Sequence, residues 1–128
     1  MRQFFVNWMP AIGFCILIFV QSAFPSPEQL PSFQYSDKLL HVTAYAILAF
    51  LFCRAFNSTS RWRNRRRMVF LFGVVAATLY GMSDEWHQSF VPGRFAEFGD
   101  ALADFAGSLV GSWIYLHYLS RWPRSHKP

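Results

Sequence analysis

The chain has 128 residues, of which 53% are hydrophobic, 20% are aromatic and only 15% are charged. Water-soluble domains carry about 25% charged residues, so this composition disfavours an ordinary soluble domain. Twelve Lys and Arg against seven Asp and Glu give a formal net charge of +5, and the placement of these charges along the chain is more informative than their sum.

The first apolar segment covers residues 4–24 and contains few polar residues. At about 1.5 Å per residue it is long enough to cross a hydrocarbon core about 30 Å thick. A cleavable signal peptide is the competing interpretation. Arg2 provides only a weak positive n-region, however, and Ser22-Ala23-Phe24 is a poor cleavage site. We therefore predict an uncleaved membrane anchor.

Three further spans follow in chain order. A proline-bearing connection ends at Ser36, which is placed as a helix N-cap, and the second span is predicted over residues 37–56. After a polar, strongly basic segment, the third span is predicted over residues 68–90. Val91-Pro92-Gly93-Arg94 has the composition of a turn. The fourth span is predicted over residues 100–119 and precedes a basic tail.

Charged residues of opposite sign alternate between the two ends of these spans. Ten of the twelve Lys and Arg fall at one end, with Lys38 and Arg94 as the exceptions. All seven carboxylates fall at the other end: Glu28, Asp37, Asp84, Glu85, Glu97, Asp100 and Asp104. Positive charge is retained on the cytoplasmic side of a bilayer. The pattern predicts an all-α membrane protein, a four-transmembrane-helix bundle forming a single domain over residues 1–128, with both termini cytoplasmic.

The basic segment 61–67 carries five arginines. Contact with anionic lipid headgroups explains it better than nucleic-acid binding does, so we expect membrane lipids as partners and no nucleic acid. Cys15 and Cys53 fall inside predicted spans and are expected to be packing residues. The sequence has no Cys/His metal-binding spacing, so no metal ligands are assigned from such a motif, and no cofactor is identified.

Polar residues recur at helical spacing near the acidic end of three spans. Residues four apart lie on one face of a helix, so each span presents a polar face there. These residues are Asp37, Lys38, His41 and Tyr45 in the second span, Tyr80, Asp84, Glu85, His87 and Gln88 in the third, and Asp100 and Asp104 in the fourth. In the fourth span the pattern continues into Gly107 and Gly111, a stripe that permits close helix approach.

Two of the carboxylates, Asp84 and Asp104, lie more than one turn inside the predicted membrane boundary. An unpaired charge at the bilayer centre costs about 2.5–3.5 kcal/mol on insertion scales, and less near the surface. The cost falls if these residues face one another and pair with Lys38, Arg94 or the histidines. The sequence therefore predicts that spans two, three and four converge on one polar pocket.

Taken together, these segments resemble the VanZ-like family. The matching segments, in the family's order, are Asp37-Lys38-Leu39-Leu40-His41 with Tyr45, Asp84-Glu85-Trp86-His87-Gln88, Val91-Pro92-Gly93-Arg94, and Gly99-Asp100-Ala101-Leu102-Ala103-Asp104 with Gly107 and Gly111. The resemblance implies a small integral membrane protein of the bacterial envelope. Combined with the orientation expected from the basic residues, it leads us to expect a multi-pass protein of the bacterial cytoplasmic (inner) membrane with its polar site facing the extracytoplasmic side. It implies a family link to teicoplanin-type glycopeptide resistance but no agreed reaction. Many members carry Asn where this chain has Asp104.

Three functions are compatible with these residues. In the first, the pocket binds or modifies an envelope lipid or a lipid-linked cell-wall precursor, with Lys38 and Arg94 contacting phosphate. The expected ligand-binding residues are Asp37, Lys38, His41, Tyr45, Tyr80, Asp84, Glu85, Gln88, Arg94, Asp100 and Asp104.

The second function is a membrane-embedded hydrolase or transferase. Here His41 or His87 would act as general base, Asp84 or Glu85 would orient it, and Arg94 would neutralise oxyanion charge. A metal-dependent version would use Asp37, His41, Asp84 and Asp100 as ligands.

The third function is purely structural, with polar residues that only hold helices together. Transport is disfavoured because the polar residues lie at one end of the spans and provide no path across. A homo-oligomer stays open as a prediction, since the Gly107 and Gly111 stripe allows packing within one chain or against a second copy.

Overall fold

The computed structural model describes residues 2–25, 36–63 and 65–121. These residues form four α-helices and no strand: α1 (Arg2–Ser22), α2 (Ser36–Ser58), α3 (Arg66–Gln88) and α4 (Phe98–Arg121). The prediction of an all-α chain is confirmed. The proline-bearing connection with Glu28, the Ser36 side chain as N-cap, and the tail after Arg121 lie outside what the structure describes.

The helices differ from the predicted spans by about two residues at most ends. α3 begins at Arg66 and ends at Gln88, where residues 68–90 were expected, and α4 extends over Phe98–Arg121 rather than 100–119. Hydropathy marks where a chain enters hydrocarbon, whereas helical hydrogen bonds continue into the polar region. Arginine is also a good helix former, so α3 starts inside the basic segment.

Three of the four described helices are long and apolar enough to cross a membrane: Arg2–Ser22, Asp37–Ser58 and Arg66–Gln88. α4 has sufficient length, with 24 residues, but falls short in apolar character. Its polar residues Asp104, Ser108 and Ser112 are buried against the other helices. The fourth span and the cytoplasmic placement of the termini therefore stay predictions.

α2 and α3 form a central pair that contacts both other helices. In the described residues α1 packs on α2 and α3, α4 packs on the same two helices, and α1 and α4 do not touch each other. α1 and α4 thus lie on opposite sides of the central pair.

The contact between α2 and α4 depends on two glycines of α4. A Cβ atom at Gly107 would overlap the carbonyl oxygen of Val42, and one at Gly111 would overlap that of Ala46. Both overlaps are with backbone, so neither is relieved by rotating a side chain. The small-residue stripe therefore packs within one chain, and a homo-oligomer would need another surface.

Antiparallel packing of successive helices brings all the described carboxylates to one end, which we call the acidic end. It consists of the last turn of α1, the first turns of α2, the last turns of α3, the segment 89–97 and the first turns of α4. Apolar residues fill the interior below it, in a cluster built on Ile18, Tyr45, Leu48 and Ala77. A second cluster of Cys53, Val69 and Tyr115 lies nearer the opposite end of the bundle. We call that end, which carries the exposed arginines of the α2–α3 connection, the basic end.

A polar pocket at the acidic end

Three helices each contribute one titratable side chain to the centre of the acidic end. His41 comes from α2, Glu85 from α3 and Asp104 from α4. The Nδ1 atom of His41 lies 2.7 Å from Oδ1 of Asp104 and 4.0 Å from Oε1 of Glu85. One ligand-type atom from each of the three side chains falls within 4.8 Å of the others. We call these three residues the central triad.

Small and aromatic neighbours create the space for the central triad. Tyr45 lies one turn below His41 on the same helix face, and the two rings are nearly parallel, with an interplanar angle of 3°. Gly81 of α3 faces Asp104, where a Cβ atom would come within 2.6 Å of Oδ2 and 3.0 Å of the Tyr45 ring. A larger residue than glycine at position 81 would fill the room beside this carboxylate.

An ion-pair network above the central triad forms its outer rim. Lys38 Nζ lies 3.2 Å from a carboxylate oxygen of Glu97 and 3.2 Å from one of Asp100. The Glu97 backbone N–H donates to Oε2 of Glu85 at 3.3 Å, and Oδ2 of Asp100 lies 3.9 Å from Nε2 of His41. The rim therefore connects directly to the central triad.

Side-chain exposure falls steadily from the rim inward. It is 60% for Glu97 and 41% for Lys38, 18% for His41 and 14% for Asp100, and 1% for Asp104. Polar side chains therefore lead from the exposed helix ends into the interior of the bundle, and we call this set of residues the pocket.

Three oxygens in this pocket are buried and have no hydrogen-bond partner among the described residues. They are Oε1 of Glu85, Oδ2 of Asp104 and the hydroxyl of Tyr45. Buried polar groups in folded proteins are nearly always paired, and leaving one unpaired costs about 1–3 kcal/mol. A cluster of three such groups requires an explanation beyond packing.

A second polar group, which we call the α1 clasp, ties α1 to α3. The Ser22 hydroxyl donates to Oδ1 of Asp84 at 2.6 Å, and Nε2 of Gln88 donates to Oδ2 at 2.8 Å. Arg94 donates from Nη1 to Oε1 of Gln88 at 3.3 Å. Its Nε and Nη2 donate to the carbonyl oxygens of residues 24 and 21, at 3.0 and 3.3 Å. The clasp thus satisfies carbonyl groups at the end of α1.

The structure distributes the predicted site residues over three places. The pocket brings together Lys38, His41, Tyr45, Glu85, Asp100 and Asp104. The α1 clasp holds Asp84, Gln88 and Arg94. The others lie apart: Asp37 is exposed, the Tyr80 hydroxyl donates to the Cys15 carbonyl oxygen at 2.5 Å, and the His87 ring stacks on Phe19 at 4.6 Å between centroids.

Comparison with known proteins identifies the family of the chain. A family model described as VanZ/LLP1 matches residues 3–120, nearly the whole chain. The chain belongs to the VanZ-like family. No curated protein and no solved structure matches it. Family membership and three apolar helices of sufficient length together make it a membrane protein of that family.

Three contributors to the VanZ-like site were not expected from the sequence. They are Ser22, Gly81 and Glu97, none of which belongs to the polar helix faces identified in the sequence. Glu97 is exposed, but it pairs with Lys38 and its N–H holds Glu85. The four-residue spacing of Gly81 to Glu85 was an available signal for Gly81, because it places the glycine one turn below that carboxylate.

The four metal ligands that the sequence suggested, Asp37, His41, Asp84 and Asp100, do not come together in this VanZ-like chain. Asp37 is exposed, and both oxygens of Asp84 are occupied by Ser22 and Gln88. Only His41, with Asp100 beside it, reaches the pocket. Glu85 and Asp104, which were outside that set, are the carboxylates nearest the His41 Nδ1 atom.

Charge in the pocket of the VanZ-like protein is predominantly negative. Glu85, Glu97, Asp100 and Asp104 supply carboxylates, and Lys38 and His41 are the basic groups that contact them. The short contact between His41 and Asp104 fixes the orientation of the imidazole ring. Chemically, the arrangement suits a positive ligand at its base and an anionic group only at the rim, beside Lys38.

Proposed function

We propose that this VanZ-like protein binds the headgroup of an envelope lipid or of a lipid-linked cell-wall precursor in the pocket at its acidic end. The observation that carries the proposal is the exposure gradient from Glu97 to Asp104. A headgroup has polar atoms that need partners and acyl chains that stay in the bilayer. A polar pocket open at the helix ends, on a bundle with an apolar exterior, suits such a molecule.

The proposal includes α4 as a fourth membrane span. Its 24 residues would extend about 36 Å at 1.5 Å per residue, enough for a bilayer core. The large side chains that it exposes are mostly apolar, among them Leu102, Phe105, Val110 and Ile114. Its polar residues Asp104, Ser108 and Ser112 face the other helices, so they lower its average apolar character without being presented to lipid.

Orientation in the proposal follows from the basic residues. The basic end includes the exposed arginines of the α2–α3 connection and Arg121. Since positive residues stay in the cytoplasm, the acidic end would face the extracytoplasmic side of the inner membrane. The pocket would then lie in the outer leaflet.

Lys38 at the rim of the pocket is proposed to meet the phosphate, and Arg94, which lies in the α1 clasp at the same end of the bundle, is proposed as a second cation for it. The Lys38–Glu97 pair is exposed, and water weakens such pairs, so Lys38 can exchange Glu97 for a ligand oxygen at little cost. Arg94 donates three hydrogen bonds to uncharged acceptors, the side-chain amide of Gln88 and two backbone carbonyls. Two of the five donors of a guanidinium are left for an anion.

A purely structural role explains the pocket less well. Residues that only hold helices together are expected to satisfy one another, as Ser22 and Gln88 satisfy Asp84 in the α1 clasp. In the pocket, by contrast, oxygens of Tyr45, Glu85 and Asp104 have no partner. Unpaired groups at the base of an open pocket are typical of ligand sites.

A hydrolase or transferase acting on the same headgroup is a second candidate, favoured by the 2.7 Å contact between His41 and Asp104. A carboxylate that orients an imidazole is a recurrent arrangement for general-base catalysis. The hydroxyls of Ser22 and Ser108 donate elsewhere, to Asp84 and to the Asp104 backbone carbonyl. Water would therefore be the attacking nucleophile, which makes the hydrolase the favoured form of this second candidate.

Native mass spectrometry of gently solubilised protein tests the binding proposal. We expect wild-type protein to retain a phosphate-bearing lipid, and Lys38→Gln to lose most of it. Lys38→Arg should restore retention because it restores the charge. Arg67→Gln, which removes an exposed charge at the basic end, is the matched control and should retain lipid like wild type. Equal lipid retention by Lys38→Gln and Arg67→Gln would refute the proposal.

A further inference from the structure

The unpartnered oxygens around His41 indicate what the base of the pocket holds. Glu85, Asp104 and Tyr45 are 7%, 1% and 2% exposed, and each has a side-chain oxygen without a hydrogen-bond donor in the described part of the chain. Burial removes water from these acceptors, and the protein supplies no replacement for it. Two of the three belong to carboxylates, for which a positive partner is the most favourable one.

The central triad has dimensions that suit a metal ion. Protein ligands lie about 2.0–2.2 Å from Zn²⁺, and other divalent ions accept similar or slightly longer distances. Ligands on opposite sides of such an ion are therefore about 4.0–4.4 Å apart. One ligand-type atom from each of His41, Glu85 and Asp104 lies within 4.8 Å of the others. A small shift of the side chains places all three around one ion.

Neighbouring groups hold the triad in an orientation that suits metal binding. The Glu97 backbone N–H occupies Oε2 of Glu85 and leaves Oε1 free. Nδ1 of His41 faces the carboxylates of Asp104 and Glu85, and Oδ2 of Asp100 lies 3.9 Å from the other ring nitrogen, Nε2. Carboxylates and backbone groups that orient metal ligands in this way are a regular feature of metal sites.

We infer that His41, Glu85 and Asp104 bind a divalent transition-metal cation, Zn²⁺ or Mn²⁺. An imidazole nitrogen among the ligands favours these ions over Mg²⁺ and Ca²⁺, which prefer oxygen alone. Three protein ligands leave at least one coordination position open. The cation would also reverse the charge at the base of the pocket, so that an anionic group can enter it.

The open position gives the cation a role toward the ligand, and this part of the inference rests on the proposed function. A headgroup phosphate that contacts Lys38 at the rim can place another oxygen on the metal below. The ligand class is then a phosphate ester or diphosphate of a lipid. The cation site itself does not depend on the identity of that lipid.

Metal binding by untagged, EDTA-treated wild-type protein provides the test. Bound Mn²⁺ or Zn²⁺ is measured by equilibrium dialysis and metal analysis. We expect one ion per chain, bound about tenfold or more weakly by Glu85→Gln and Asp104→Asn. Asp37→Asn is the matched control, because it removes an exposed acid at the same end, and it should bind like wild type. Equal binding by all four proteins, or none by wild type, overturns the inference.

A second measurement does not depend on the triad variants and keeps the inference testable if those variants do not fold. Pulsed electron paramagnetic resonance of bound Mn²⁺ should detect a directly coordinated imidazole nitrogen. His87→Gln should retain that nitrogen signal, because His87 stacks on Phe19 instead of facing the triad. A Mn²⁺ spectrum without nitrogen coupling overturns the inference.

The same samples separate the cation site from the proposed function. Stoichiometric metal without retained lipid, at any metal concentration, refutes the lipid proposal and supports the cation site. Lipid retained equally with and without EDTA, together with no metal binding, supports the lipid proposal and refutes the cation site.

Discussion

Replacing each of two tyrosines with phenylalanine should change stability in opposite directions. The Tyr45 hydroxyl is buried without a partner, whereas the Tyr80 hydroxyl donates to the Cys15 carbonyl oxygen across the α1–α3 contact. A buried unpaired polar group costs about 1–3 kcal/mol, so Tyr45→Phe should leave stability equal or higher. Hydrogen bonds between membrane helices contribute about 0.6–1.7 kcal/mol, and Tyr80→Phe should lose about that much.

Unfolding in mixed detergent micelles by increasing sodium dodecyl sulfate, followed by circular dichroism, measures this difference. We expect Tyr45→Phe to exceed Tyr80→Phe in free energy of unfolding by at least about 0.6 kcal/mol. Lipid retention should change the other way, falling in Tyr45→Phe because its hydroxyl lies at the base of the pocket. If Tyr45→Phe loses as much stability as Tyr80→Phe, the hydroxyl has a bonding partner and the reasoning fails.

Two further pairs of variants test the helix contacts by the same unfolding measurement. Gly111→Ala should lose about 1–3 kcal/mol of unfolding free energy because its Cβ overlaps the α2 backbone. The control Gly13→Ala, whose Cβ meets no atom within 4 Å, should be neutral or slightly more stable. Equal stability of the two variants would contradict the close α2–α4 contact. Ser22→Ala should lose about 0.6–1.7 kcal/mol of unfolding free energy because it loses the hydrogen bond to Asp84. The control Ser83→Ala removes an exposed hydroxyl bonded to its own helix and should stay within about 0.5 kcal/mol of wild type. Similar losses in the two variants would argue against the α1 clasp.

The lengths of the apolar segments were sufficient to predict the helices, and helical periodicity was sufficient to predict the polar face at the end of α2, α3 and α4. Spacing of four residues placed His41 above Tyr45, and the structure has their rings nearly parallel. The stripe of Gly107 and Gly111 was recognised as a close-packing surface, and it lies against α2. These features depend on local geometry, which a single helix determines by itself.

The division of the polar residues into two groups was not predictable in this way. Asp84 and Glu85 are adjacent on α3 and differ by about 100° around the helix. One therefore faces α1 and the other faces α2 and α4. Whether Asp84 or Glu85 faces a given helix depends on how α1, α2 and α4 are arranged around α3. α1 carries no charge in its last turns, so Ser22 provided no signal of its role.

Sidedness of the acidic end is the claim on which the proposed function depends, and cysteine labelling of intact cells tests it directly. Glu97→Cys places a thiol at the exposed rim, and Ser60→Cys places one in the exposed α2–α3 connection at the basic end. Cys15 and Cys53 lie inside helices, so the parent protein is the blank. We predict that a membrane-impermeant maleimide labels Glu97→Cys in intact cells and Ser60→Cys only after permeabilisation. The reverse pattern would place the pocket in the cytoplasm and contradict the account.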